Sequence, residues 1–149
     1  MLRGISFQVP NKWGMLLLDM LQGIAYDNYI WKIKDSEVYT KGGDFLFATE
    51  TLSGKLFKEH ISTDPYYMVF ANLQAFPNHD DICEIKDYSD FTHCACEFIV
   101  LVSDNIFVDI YSKKQNEIKL LHKNALKHKF IAIKLITDAN DTRKIFRAI

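Results

Sequence analysis

The run Cys96-Glu97-Phe98-Ile99-Val100-Leu101-Val102-Ser103-Asp104-Asn105-Ile106-Phe107-Val108-Asp109-Ile110-Tyr111-Ser112-Lys113 decides the fold. Phe98 to Val102 is an unbroken apolar stretch rich in β-branched residues, the signature of a strand buried on both faces. Ser103-Asp104-Asn105 is a compact polar break suited to a hairpin turn, with Asn105 able to take a positive φ. Beyond it the pattern alternates. Ile106, Val108 and Ile110 share one face, and Phe107, Asp109 and Tyr111 share the other, because strand side chains point to opposite faces in turn. The second strand therefore has one aliphatic face and one mixed face, on which Asp109 stands between two aromatic rings.

Working outward, hairpin signals outnumber helical ones. Ile5, Phe7 and Val9 alternate in a first strand, and Pro10-Asn11 ends it. Trp13, Leu16, Leu17, Met20, Leu21 and Ile24 then recur at helical spacing, predicting an amphipathic helix capped by Asn11. Tyr29 to Ile33 and Glu37 to Thr40 read as two strands joined by a turn at Asp35-Ser36, with Gly42-Gly43 as a further turn. Leu52, Leu56, Phe57 and Ile61 predict a helix behind Thr51 or Ser53, its first turn weakened by Gly54 by about 1 kcal/mol relative to Ala. Tyr66 to Phe76 is a long strand with two amides, Asn72 and Gln74, on one face, read as serving a sheet edge or end. Asp87 caps one helical turn. Ser112 and Gln115 predict a capping box for a helix over residues 113–127, and Phe130 to Ile136 is the last strand. An Asx turn and a short C-terminal helix carrying Ile145 and Phe146 into the core complete the chain. The pattern predicts a single α+β domain over residues 1–149, with a mixed, largely antiparallel sheet and about three helices packed on it. The first and last strands are candidates for parallel pairing across a helix.

Composition excludes several classes. The chain has 149 residues, 18 basic and 19 acidic, for a formal charge of -1. That balance lacks the electrostatic footprint of a general nucleic-acid binder, and the lysines of residues 113–127 read as a solvated helix face. No apolar stretch approaches the roughly 20 residues that span a bilayer, and the first residues run into strand alternation without a signal-peptide core. Three cysteines are a poor disulfide framework. Together these predict a cytoplasmic protein.

No catalytic constellation assembles. Gly42-Gly43 lacks the spacing and the Lys-Ser/Thr of a phosphate loop. His79-Asp80 lacks the further ligands of a metal phosphohydrolase. His93-Cys94-x-Cys96 lacks a second ligand pair, so Cys94 and Cys96 read as buried thiols on one strand face. Asp138 to Asp141 lacks the sixth-position Gly and twelfth-position Glu of a calcium loop. The sequence implies no cofactor and no metal, and leans away from an enzyme. The residues that could form a polar site are Asp104, Asp109, Asp138, Asn140, Asp141 and Arg143, since carboxylates beside one Arg can activate water or hold a polar ligand. Whether Arg143 pairs with Asp138 or Asp141, or faces solvent, stays open. Two functions follow: a non-enzymatic protein-binding or regulatory module, with another protein or a second copy as partner, or a small ligand-binding domain or hydrolase using that polar set.

Several segments taken together resemble one family. They are Arg3-Gly4-Ile5-Ser6-Phe7 with Pro10-Asn11, Phe70 to Pro77, Val102-Ser103-Asp104 with Ile110 to Lys113, Asn124 to Lys127, and Ile136-Thr137-Asp138-Ala139-Asn140-Asp141-Thr142-Arg143. They are similar to the domain of unknown function numbered 2691, small proteins of Bacillus-type bacteria. The resemblance spans nearly the whole chain and implies a bacterial cytosolic domain. It brings no activity, cofactor or catalytic residue.

Overall fold

The computed structural model describes residues 1–148. Seven strands form one antiparallel sheet: β1 (Leu2–Gln8), β2 (Ile30–Thr40), β3 (Thr51–Ser53), β4 (Tyr66–Phe76), β5 (Phe98–Ser103), β6 (Phe107–Ser112) and β7 (Ile131–Thr137). Their order across the sheet is β3-β2-β4-β5-β6-β1-β7. Four helices accompany them: α1 (Leu16–Met20), α2 (Gly54–Thr63), α3 (Tyr88–His93) and α4 (Gln115–Lys127). The α+β architecture is thus as the patterning implies. The central hairpin is β5 and β6, in register from Phe98 opposite Ser112 to Ser103 opposite Phe107. Asp104 and Asn105 both take positive φ to close it.

The sheet carries a core on each face. On one side α1, α2 and α4 cover Ile5, Phe7, Trp31, Leu73, Val100 and Ile110. On the other, α3, its flanking segments and the C-terminal tail cover Phe76, Ile99, Leu101 and Tyr111, with Phe91 and Phe146 as the largest plugs. This two-sided burial is why Phe98 to Val102 is apolar without interruption.

Several local expectations are corrected. The first helix is five residues long and does not extend over the whole stretch from Trp13 to Ile24. Gly14 exchanges backbone hydrogen bonds with Tyr66 and so belongs to the sheet's margin, and Gly23 turns the chain at a φ of 84°. Asp35-Ser36 is a bulge, not a hairpin turn. Asp35 takes a φ of 48°, and both halves of β2 pair with β4, whose eleven residues template the whole length. Asn72 and Gln74 lie on a central strand rather than at an edge; Asn72 donates to the Phe146 carbonyl and Gln74 to Asn72. β1 and β7 pair antiparallel with each other, so no parallel crossover exists among the described residues. Cys94 and Cys96 precede β5, and Cys94 is only half-buried. Ser112 hydrogen-bonds the Glu117 carboxylate, while Gln115 reaches the Leu2 carbonyl, so the capping box does not form.

Two expectations gain a physical cause. Ser53 caps α2 by accepting from the Leu56 amide, and a Cβ on Gly54 would lie 2.1 Å from the Asp27 carbonyl oxygen. That glycine weakens the helix but lets it approach the 26–28 turn. Asp87 caps α3 by accepting from the Asp90 amide.

Candidate functional site

The tail-side face of the sheet holds the polar set. Cross-strand pairing aligns Asn72, Leu101, Asp109, Ser6 and Lys134 in one row, from β4 to β7. The next row contains Gln74, Ile99, Tyr111, Gly4 and Ile136. After β7 the chain turns back through residues 138–141 and crosses these rows. Asn140 makes the turn: its side chain accepts from the Thr137 amide at 2.8 Å and donates to the Leu135 carbonyl at 3.0 Å. The crossing segment is extended, not helical. Phe146 is therefore buried while its neighbour Ile145 is exposed, which corrects the C-terminal helix expected for both.

Two arginines knit the tail to the sheet. Arg3 Nε donates to Asp138 Oδ1 at 2.9 Å and Arg3 Nη1 to Asp141 Oδ2 at 3.1 Å. The Arg3 guanidinium also lies 3.9 Å above the Tyr88 ring. Arg143 pairs with neither Asp138 nor Asp141. Its Nε and Nη2 donate to Asp109 Oδ2 at 2.9 and 2.8 Å, and its Nη1 to the carbonyls of Ile145 and Arg147. Asp141, with a side chain only 3% exposed, accepts three bonds: from Arg3, from the Tyr111 hydroxyl at 3.0 Å and from the Arg143 amide at 3.2 Å. The hydrogen bond from Arg3 holds the Asp138 carboxyl below its ordinary range. Burial, reinforced by the charges of Asp141 and Asp109, pushes the Tyr111 hydroxyl far above its own.

Five of the six sequence candidates converge here: Asp109, Asp138, Asn140, Asp141 and Arg143. Asp104 does not join them. It sits exposed in the β5–β6 turn, where its left-handed backbone serves the hairpin. Sequence reasoning missed Arg3, which lies more than 130 positions from its partners. The one available signal was charge: two aspartates close together on β7's exit and a single arginine at the start of the adjoining strand. The hollow at this cluster is about 140 Å³, bounded by Ser6, Lys134 and Thr142 beside the paired charges. Ligand sites usually span roughly 300–1,000 Å³, so it accommodates a few waters or a small ion. Among the described residues no three His, Cys, Asp or Glu side chains are grouped to hold a metal.

The tail stops short of the far end of this face. There Gly14 pairs with Tyr66, Tyr39 with Tyr67, and Tyr39 with Phe45. Four aromatic residues thus stand in one cross-strand row: Phe45, Tyr39, Tyr67 and Trp13. Tyr39 stacks on Phe45 with centroids 5.4 Å apart, and Trp13 lies against Tyr67 at 5.5 Å with its ring tilted by 41°. Phe45 is 55% exposed and Trp13 45%. Phe107 and Ile131, both opposite Gln8 and both exposed, extend the uncovered surface along the face.

These features define an antiparallel α+β protein whose C-terminal strap is bolted to one sheet face by paired charges, leaving an aromatic strip bare. The chain belongs to the family described as protein of unknown function (DUF2691), whose model matches residues 2–147. It is 37% identical over 146 residues to the uncharacterized protein YncE of Bacillus subtilis (strain 168), covering 95% of each chain. No solved structure matches it significantly. Among the described residues no helix is long and apolar enough to cross a membrane.

Proposed function

We propose that the chain folds as one domain and acts as a non-enzymatic protein-binding module in the cytoplasm, docking its partner on the aromatic strip. The observation that carries this reading is the cross-strand row of Phe45, Tyr39, Tyr67 and Trp13, whose end members Phe45 and Trp13 are exposed and whose two tyrosines are half-buried between them. Water-facing aromatics in a contiguous strip favour protein interfaces. One stacked and one tilted ring pair, rather than rings lying flat in one plane, present edges and grooves that side chains of a protein can fill. The charged cluster supports the same reading by what it spends its groups on. Its arginines and aspartates are engaged with one another and with the tail backbone, so it serves as a fastening more readily than as a reaction centre. Free thiols at Cys83, Cys94 and Cys96 suit a reducing compartment.

The test uses the tagged chain and its Trp13→Ser/Phe45→Ser variant as baits in native lysate. The wild type is expected to retain a specific protein that the variant loses, with both folding to the same circular-dichroism spectrum. Nothing above background on the wild type, or equal capture by the variant, sinks the proposal.

A second reading, a small polar ligand bound beside Lys134 and Arg143, is favoured only by the convergence around the 140 Å³ hollow. A thermal-shift screen of wild type against Asp141→Ala/Arg143→Ala separates the two. A ligand at a hundred times its dissociation constant adds about 2.7 kcal/mol of stability, and that gain has to vanish in the double variant for this reading to stand.

A further inference from the structure

A larger cleft lies on the opposite side of the sheet's end, where the last turn of α2 faces the 40–46 loop. Its volume is about 590 Å³, within the usual range of small-molecule sites. Leu46 and Pro65 give it an apolar floor, and His60 stands edge-on to the Phe47 ring at the wall. Glu59 and Asp64 line it, with Lys41 from the loop. Among the described residues none of these three makes a salt bridge, in contrast to the tail cluster. The helix end adds to the balance. α2 finishes at Thr63 with Asp64 as an extended cap, and the C-terminal end of a helix carries roughly half a negative charge. The Ser62 and Thr63 hydroxyls donate to the carbonyls of Lys58 and Glu59, and the Tyr66 hydroxyl donates to that of Ile61, so the last turn's charge is only partly answered by side chains. Two unpaired carboxylates and a helix C-terminus thus outweigh one lysine around an apolar floor.

We infer that this cleft binds a small organic cation, an amine or guanidinium carried on an aliphatic chain. The cationic head sits against Glu59, Asp64 and the end of α2, and the chain lies on Leu46 and Pro65. A charge-assisted hydrogen bond to a carboxylate is about twice as strong as a neutral one, so a cation is selected over a neutral molecule of the same shape. The inference is independent of the aromatic strip, which lies on the other face.

The experiment is an amide-resolved NMR titration of the full chain with agmatine, using 1,4-butanediol and glutarate as neutral and anionic controls. Agmatine is expected to shift the amides of residues 40–46 and 59–66 to saturation, while neither control does. The exposed double variant Glu59→Gln/Asp64→Asn is expected to keep the wild-type spectrum elsewhere and to weaken agmatine at least about tenfold. No saturable shift with agmatine, shifts scattered over all acidic surface, equal binding of a control, or unchanged affinity in the variant each overturns it. None of these outcomes bears on whether Trp13 and Phe45 capture a protein.

Discussion

The tail cluster and the α2 cleft both hold aspartate or glutamate beside a base, yet they are opposite kinds of object. In the cluster nearly every charge has a partner on another element: Arg3 on β1 with Asp138 and Asp141 beyond β7, Arg143 in the tail with Asp109 on β6. In the cleft Lys41, Glu59 and Asp64 make no salt bridge among the described residues and stand around open volume. Paired charges hold a structure together, whereas unpaired ones remain available to something else. Residue type alone therefore does not mark a site; the list of partners does.

Removing the strap's anchor is expected to have the largest effect on stability. Phe146 is buried against Tyr111, with ring centroids 4.5 Å apart. Phe146→Ala is expected to cost about 4 kcal/mol, read by urea unfolding, and to make the tail sensitive to protease. A loss under about 1 kcal/mol would show that the tail adds little to the fold. Next comes Asp141→Ala. It strands the Tyr111 hydroxyl and one arm of Arg3 at a site where the carboxylate is almost fully covered, and is expected to cost about 3 kcal/mol. If Asp141→Ala melts like the wild type, the cluster is not a fastening and its charges are free for a ligand.

A third prediction concerns pH. The Tyr111 hydroxyl is shifted upward, chiefly by burial, so its contribution to stability is complete below the unfolded value near 10. It is lost as pH rises above that value, because the unfolded chain ionises first. Tyr66, also raised by burial, acts in the same direction. Melting temperature should fall between about pH 9.5 and 11, and Tyr111→Phe should lessen that slope. Asp138 gives the mirror image at smaller amplitude. Its carboxyl is lowered by Arg3, so its contribution is present above about pH 3.9 and lost as pH falls through the folded value. Asp138→Asn should flatten only that acid limb. Unchanged limbs in both variants would detach these groups from the strap.

How much of this was legible in the sequence follows from how far apart the partners lie. The central hairpin, β4, the Asp87 cap and the α+β class rest on patterns within a dozen residues and read correctly, and of the two caps open for α2, Thr51 and Ser53, it is Ser53 that serves. Asp138, Asn140, Asp141 and Arg143 were legible as a group because a dense Asx segment follows a strand, and Asp109 because it stands between two aromatic rings on a strand's mixed face. Their wiring was not. Arg3 meets Asp141 only because β1 and β7 pair, and that pairing depends on the whole sheet order. The same dependence hid the first helix's true length, since Gly14 is drawn into a bridge with Tyr66 that helical periodicity does not report. Of the aromatics, Trp31, Tyr66 and Tyr111 proved buried while Trp13 proved exposed. Composition counts rings without saying which face they end on.

The cleft's carboxylates, by contrast, are expected to matter least to stability. Glu59→Gln/Asp64→Asn alters the cleft's unpaired carboxylates without removing volume or any salt bridge among the described residues. Surface changes of this kind usually stay within about 0.5 kcal/mol. Relief of repulsion with the negative end of α2 pushes the sign toward a slight gain, by a few tenths of a kcal/mol at low salt. Urea unfolding of this variant beside Asp141→Ala is therefore the direct contrast: near neutrality in the cleft against a large loss in the cluster. Should the cleft variant lose 2 kcal/mol or more, on the scale of a broken buried network, its carboxylates hold the 40–46 loop in place. The two regions would then be fastenings of the same kind.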